Sequence, residues 1–295
     1  MIKSDITSYN PVLIQADLQF IKLMIAKYNV RLIAGTGLHR MISGCEEYLA
    51  LMEDEEICNS HLKPLINSYS LSDSLRILWM KKKEFGIQLK SMISGDFEYG
   101  KISDKGEHYY KDFELEIFTA AHLAKEGVNI ELPQCTDGHD VLYEKVQIQC
   151  KHPDSLSRNK LDKYLRNFDI DLGKRQTYGV FCIGVEDFLE FEETVNPLDT
   201  ENFQNMYVAR LKEIDMHLHD LFDSTLPFCP RVLGVVLINT HYTYTISGGL
   251  QLYKTTNSVY CIRPNTNKIK VPDDIMRRAY EIVYCFNEKP FILIM

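Results

Sequence analysis

No apolar stretch in this chain approaches the roughly 18 residues that cross a bilayer, and no membrane partner is expected. No CxxC pair occurs among the eight cysteines, and the nine histidines supply no complementary spacing. That argues against the common zinc frameworks. The opening MIKSDITSYNPVLIQADLQF lacks the short apolar core of a signal peptide, and Asp5 stands where cationic flanks are expected. The turn Gly35-Thr36-Gly37 lacks the GxxxxGK[ST] continuation of a phosphate loop. No internal repeat or low-complexity tract is present. Net positive charge is also missing: the formal charge is -8, which argues against a general polyanion binder. Cys150, Cys182 and Cys261 fall inside apolar strands, where thiols behave as small hydrophobes. Together these absences set the expectation of a cytoplasmic protein with reduced cysteines.

What is present suffices for a core. The chain has 295 residues, 45% hydrophobic and 25% charged, enough for one large domain or two ordinary ones. Residues 12–96 read as helical. Leu18, Ile21, Leu23, Met24 and Ile25 surround one apolar helix. Leu75, Leu78 and Trp79 form a packing stripe on another, which Ser72 or Asp73 is suited to cap. Lys81, Lys82 and Lys83 read as a solvated face. The polar, glycine-containing GDFEYGKISDKG marks a boundary, giving a helical region over 1–100 and a second domain over 101–295.

After that boundary the elements mix. A helix is expected over 106–126, stopped by Gly127 as a left-handed cap. Val128, Ile130 and Leu132 alternate as a strand. Asp137-Gly138 turns the chain into two β arms, 139–143 and 146–151, joined at Glu144-Lys145. Ser155 or Ser157 opens a helix over 156–168, and 177–185 is a buried strand. An acidic loop, an amphipathic helix over 203–222, strands over 231–245 and near 250–262, and a helix over 275–286 complete the chain.

The hairpin carries the chemistry. With Glu144-Lys145 as the turn, Tyr143 pairs with Val146, Val141 with Ile148, and Asp140 with Gln149. Opposed residues share a face, so Asp140, Gln147, Gln149 and Lys151 stand together. Val146, Ile148 and Cys150 line the other, apolar face. The neighbouring sequence is apolar, so the hairpin is expected to be central in its sheet. On the preceding helix, Glu116 shares an otherwise apolar face with Ala120, Leu123 and Gly127, whereas Glu114 is expected in solvent. A semi-buried acid calls for a cation. Two carboxylates, an amide oxygen and a lysine suit Mg²⁺ or Mn²⁺. Singly, each residue has an ordinary explanation; jointly, in this order, they make a site. His139, in the turn, is a further candidate substrate contact, although turn histidines are usually solvated.

This order of a helix Glu, an Asp and a strand [E/Q]xK resembles the PD-(D/E)xK restriction-endonuclease-like nucleases, and within them the Mrr-like branch with QxK. Leu115-Glu116 matches the helix motif, Asp140 the GxD element, and Gln149-Cys150-Lys151 the QxK, over roughly 105–185. Val128 stands in place of the usual aromatic, and no proline precedes Asp140. The resemblance implies an α/β fold with a restriction-endonuclease-like α-β-β-β-α-β core on a central mixed sheet, plus the N-terminal helical region. It implies a Mg²⁺-dependent deoxyribonuclease in which Glu116, Asp140, Gln149 and the Cys150 carbonyl hold metal and Lys151 positions water, leaving 5′-phosphate and 3′-hydroxyl ends. By family analogy alone it suggests restriction or anti-phage defence, a companion ATPase, helicase or sensor, and a homodimer formed through the N-terminal helices. Arg158, Lys160, Lys163 and Arg166 are candidate phosphate contacts on the following helix; a salt-bridged surface with Asp154 and Asp162 is the equal alternative. A catalytically inactive module on the same fold, binding a partner or nucleic acid, is the competing function, and a ribonuclease is a third.

Overall fold

A computed structural model describes residues 3–8, 10–51, 59–92, 109–134, 140–153, 156–185, 221–245, 251–263 and 270–286, with scattered positions between 209 and 220. The boundary segment, the Asp137-Gly138 turn, His139 and the acidic run lie outside the described residues. The chain is α/β, with helices on both sides of a mixed sheet of six strands. We label its strands β1 (Lys3–Ser8), β2 (Val141–Tyr143), β3 (Val146–Lys151), β4 (Tyr178–Gly184), β5 (Val232–Thr245) and β6 (Gln251–Ile262). The helices are α1 (Pro11–Lys27), α2 (Gly37–Leu51), α3 (Asn59–Met80), α4 (Gly86–Ser91), α5 (Tyr109–Lys125), α6 (Arg158–Arg175) and α7 (Asp273–Phe286). No described helix is long and apolar enough to cross a membrane.

The sheet order is β1-β6-β5-β4-β3-β2. Strands β3, β4 and β5 run parallel, with α6 crossing between β3 and β4, and the remaining pairs are antiparallel. Parallel strands covered on both faces must be apolar throughout. β4 accordingly shows Val180, Phe181, Cys182 and Ile183 fully buried. Alternate residues serve two cores. Val146, Ile148, Cys150, Val180 and Cys182 join α5, α7 and the N-terminal helices. Phe181, Ile183, Val235 and Leu237 join Leu161, Leu165, Phe168 and Leu172 of α6, with Ile214, Leu218 and Leu221 from the segment read as an amphipathic helix.

The N-terminal region shares a core with the sheet. It contributes β1 to the sheet, and Ile14, Ile21, Met41 and Leu75 belong to the same cluster as α5 and β3. α1 starts where the sequence dictates: Asn10 caps Leu13 N–H at 3.0 Å, and Pro11 follows with its fixed φ. Two assignments there need correction. Leu23 is 60% and Trp79 43% exposed, because each falls just off the buried stripe of its helix; Lys27 covers the Trp79 ring at 3.8 Å. Ser72 and Asp73 are not at a helix start. They lie inside α3, where Ser72 donates to Asp17 at 2.8 Å.

Three further differences bear on the site. The strand expected from Val128, Ile130 and Leu132 shrinks to one bridge, Glu131 with Leu142. Ile130 and Leu132 are buried, so the alternation was real, but only one residue finds a ladder partner. The hairpin is also not central: β2 is the edge strand. Its three residues are too short to template another chain. Tyr143 donates to Glu281 of α7 at 2.6 Å, and Arg278 pairs with Glu144 in the turn, which pins this edge. Last, α6 runs to Arg175, seven residues beyond the expected end, and its N-cap position is Ser157, without a side-chain cap bond.

Gly179 shows how tightly α6 sits on the sheet. A Cβ there would lie 2.4 Å from Cζ of Phe168 and 2.8 Å from the Gln147 carbonyl oxygen. Gly179→Ala is expected to cost about 1–3 kcal/mol of stability through overpacking. A urea midpoint equal to that of the parent protein would show that the ring moves aside freely.

Candidate functional site

The site forms where the parallel strands end. Lys151 closes β3, and Asp140 immediately precedes β2. The hairpin register is the one read from the turn: Val141 opposite Ile148, Leu142 opposite Gln147, Tyr143 opposite Val146. Glu144 takes a left-handed φ of 51° at the turn. Asp140 extends the register by one bond, its N–H donating to the Ile148 carbonyl at 3.1 Å. Open α/β sheets place ligands at such carboxyl ends.

Helix α5 supplies the acid. Its Leu115, Ile117, Ala120, Ala121 and Leu123 pack into the core, and Gly127 ends it with φ 90° and a bond to the Ala124 carbonyl. Glu116 is carried inward on the same helix and is 4% exposed. Its carboxyl lies close enough to that of Asp140 to be raised by it. Glu114 is not the solvated neighbour expected; it is half-buried and paired with Lys111 at 2.9 Å.

Around Asp140 the partners are specific. Its Oδ2 accepts the Cys150 backbone N–H at 2.5 Å and the Gln149 side-chain amide at 2.8 Å. Gln149 therefore acts as a donor that holds Asp140. Turning the amide by 180° exchanges its nitrogen for its oxygen. The Cys150 thiol lies in the core beside Cys182, its register partner, and its N–H is the group that touches the site.

The electrostatics follow from crowding. Burial pushes Glu116 well above the ordinary carboxylate range; Asp140 adds to the rise and Lys151 opposes it. Burial also raises Asp140, to about 6, against the lowering effect of Lys151 and the Cys150 N–H. Burial alone would lower the Lys151 ammonium. Asp112, then Asp140 and Glu116, outweigh it and hold the lysine charged.

Asp112 is the residue that sequence reasoning missed. It stands one turn before Glu116 on α5. Its Oδ1 accepts the His152 N–H at 2.7 Å, and its Oδ2 lies 3.5 Å from Lys151 Nζ. The signal existed: spacing traced forward from Glu116 reaches Ala120, and one step backward reaches Asp112. His152 and Pro153 do end the strand, and both are buried.

The structure thus brings Glu116, Asp140, Gln149 and Lys151 together and adds Asp112. The basic set on α6 has mostly local partners. Arg158 donates to Ser224 at 2.8 Å, Lys160 lies 5.9 Å from the Tyr164 ring centre, and Arg166 pairs with Asp162 at 2.7 Å and covers Phe228. Lys163 faces solvent.

The donor chemistry fits a hard divalent cation in part. Two neighbouring carboxyls, Glu116 buried and Asp140 partly so, relieve their mutual repulsion when a cation neutralises them. Among the described residues, no group of three His, Cys, Asp or Glu forms a metal-holding cluster. Further protein ligands would have to be amide or carbonyl oxygens. Comparison with protein-family models, curated proteins and solved structures found no match to this chain.

Proposed function

We propose that this protein is a Mg²⁺-dependent nuclease acting on DNA, built on a restriction-endonuclease-like core. The observation that carries the reading is the gathering of Glu116 and Asp140 at the carboxyl end of β3, close enough for one to raise the other, with Lys151 held charged beside them. Glu116 and Asp140 would hold the ion, with the Gln149 amide oxygen after rotation and the Cys150 carbonyl as supplementary ligands. Bound there, Mg²⁺ or Mn²⁺ supplies activation of water and neutralises charge at a phosphoryl oxygen.

The chain's own groups divide the remaining work. The Cys150 N–H fixes the Asp140 carboxylate, so that it does not reorganise during reaction. The Lys151 ammonium orients the attacking water and offsets negative charge developing on the phosphate. The acidic surface elsewhere weakens non-specific contact with the backbone, so affinity must be local. The reading includes 5′-phosphate products, a role in restriction or anti-phage defence, and a companion protein for translocation or sensing, all from family likeness.

The competing reading is a non-catalytic module on this fold. It is favoured by Gln149, whose donated amide already occupies Asp140 Oδ2. Incubation with linear, circular and single-stranded DNA, and with RNA, in Mg²⁺ and in EDTA separates the two. Mg²⁺-dependent DNA cleavage that is lost in Lys151→Ala supports the nuclease. Cleavage of RNA alone makes it a ribonuclease, and no cleavage of any substrate, with candidate partners present, sinks the enzyme reading.

A further inference from the structure

Asp112 makes two contacts with one carboxylate. Oδ1 takes the backbone N–H of His152, the residue after Lys151, and Oδ2 faces the Lys151 ammonium. It therefore grips both the end of β3 and the side chain that leaves it. A lysine carries about 2 kcal/mol of rotamer entropy and reaches a fixed point only if something holds it there. Three acids surround this lysine: Asp112, Asp140 and Glu116. The other two, Asp140 and Glu116, are the pair assigned to the cation. Without Asp112, the ammonium would settle on that pair and compete with any cation for it.

We propose that Asp112 is a positioning residue that holds the Lys151 ammonium beside, and off, the Glu116–Asp140 pair. The brace itself follows from the contacts; its kinetic consequence rests on the nuclease reading. An ordinary ion pair is a poor account of the arrangement. Both side chains are partly exposed, at 31% and 22%, and pairs of that kind stabilise little. The backbone bond to His152 adds what such a pair lacks, a fixed origin from which the lysine extends.

Asp112→Asn separates the two contacts, because the amide oxygen still accepts the His152 N–H while the charge is gone. Asp112→Ser, also neutral with an oxygen, serves if the first variant does not fold. In the metal-free full-length protein, acetylation of Lys151 by an N-hydroxysuccinimide ester is followed by peptide mass spectrometry, with exposed Lys163 as internal reference. The Lys151-to-Lys163 rate ratio is expected to fall about threefold or more on loss of the partner, because the ammonium settles on the Glu116–Asp140 pair. An unchanged ratio overturns the brace.

If the parent protein cleaves DNA, a double-mutant cycle follows. Asp112→Asn is expected to lower kcat about tenfold with KM for DNA unchanged, and to raise the Mg²⁺ needed for half-maximal rate. In a Lys151→Ala background it should add nothing. Additive losses overturn the positioning role. If the parent cleaves nothing, the nuclease reading fails, and the acetylation ratio still decides the brace.

Discussion

Lys151→Ala is expected to lower the rate of Mg²⁺-dependent DNA cleavage by about 10²–10³-fold, the size of losing one preorganised charge-stabilising group. The geometry gives the reason. Lys151 sits at the last position of β3, with Asp112 at 3.5 Å and with Glu116 and Asp140 raising its charge affinity. Its ammonium is fixed before substrate arrives, so little reorganisation is needed as phosphate charge grows. Lys151→Arg should not restore the rate, because a planar fork on a longer stem does not place a point charge at the same spot. Single-turnover rates at saturating DNA check this. A Lys151→Ala protein that keeps more than about a tenth of the rate would remove the lysine from the chemistry.

That expectation rests on parts of the chain that were legible. The hairpin register follows from two local facts, a turn at Glu144-Lys145 and strict alternation in VQIQCK, and the observed pairing matches it residue by residue. Glu116 was legible because a charge inside an apolar helical stripe violates amphipathic periodicity. The sheet position of the hairpin was not. Both faces of β3 are covered, yet its β2 flank is an edge, and nothing local to VLY reports which strand lies beyond. β1 was invisible for a related reason. KSDITS has no apolar alternation to mark it, and its strand character comes from pairing with β6 some 250 residues later. The bridge at Glu131 shows the reverse: Ile130 and Leu132 alternate as a strand should, but only one residue meets a partner. Asp112 went unread because an acid in the first turn of a helix is ordinary. Its meaning lies in the end of β3, forty residues away, where it meets both Lys151 and the His152 N–H.

The second large effect concerns pH and the same carboxyls. In the metal-free protein, Asp140 is raised to about 6 and Glu116 well above its ordinary range. The sign follows from linkage. Below about pH 3 both carboxyls are protonated folded and unfolded, and they contribute no difference. As pH rises through the window, the unfolded chain releases protons that the native state keeps, so stability falls. The Asp140 part of the loss is complete just above pH 6; the Glu116 part begins near its ordinary value and continues higher. A shift of the Asp140 size corresponds to about 3 kcal/mol. Surface ion pairs such as Asp162 with Arg166 act in the opposite direction at lower pH, where Asp162 is held down by that arginine. The comparison must therefore be with Glu116→Gln/Asp140→Asn, which retains the acceptor for the Cys150 N–H. The parent protein in EDTA should lose stability from pH 4.5 to 8, relative to this variant, by about 3 kcal/mol or more in urea titrations. Mg²⁺ should return about 2.7 kcal/mol at a hundredfold excess over its dissociation constant, more at pH 8 than at pH 5, because only deprotonated carboxyls bind it. Parallel pH profiles for parent and variant would show that the pair is not buried in the unfavourable state described. A pH-dependent loss that Mg²⁺ leaves unchanged would keep the buried pair but remove the cation, and with it the metal-dependent mechanism.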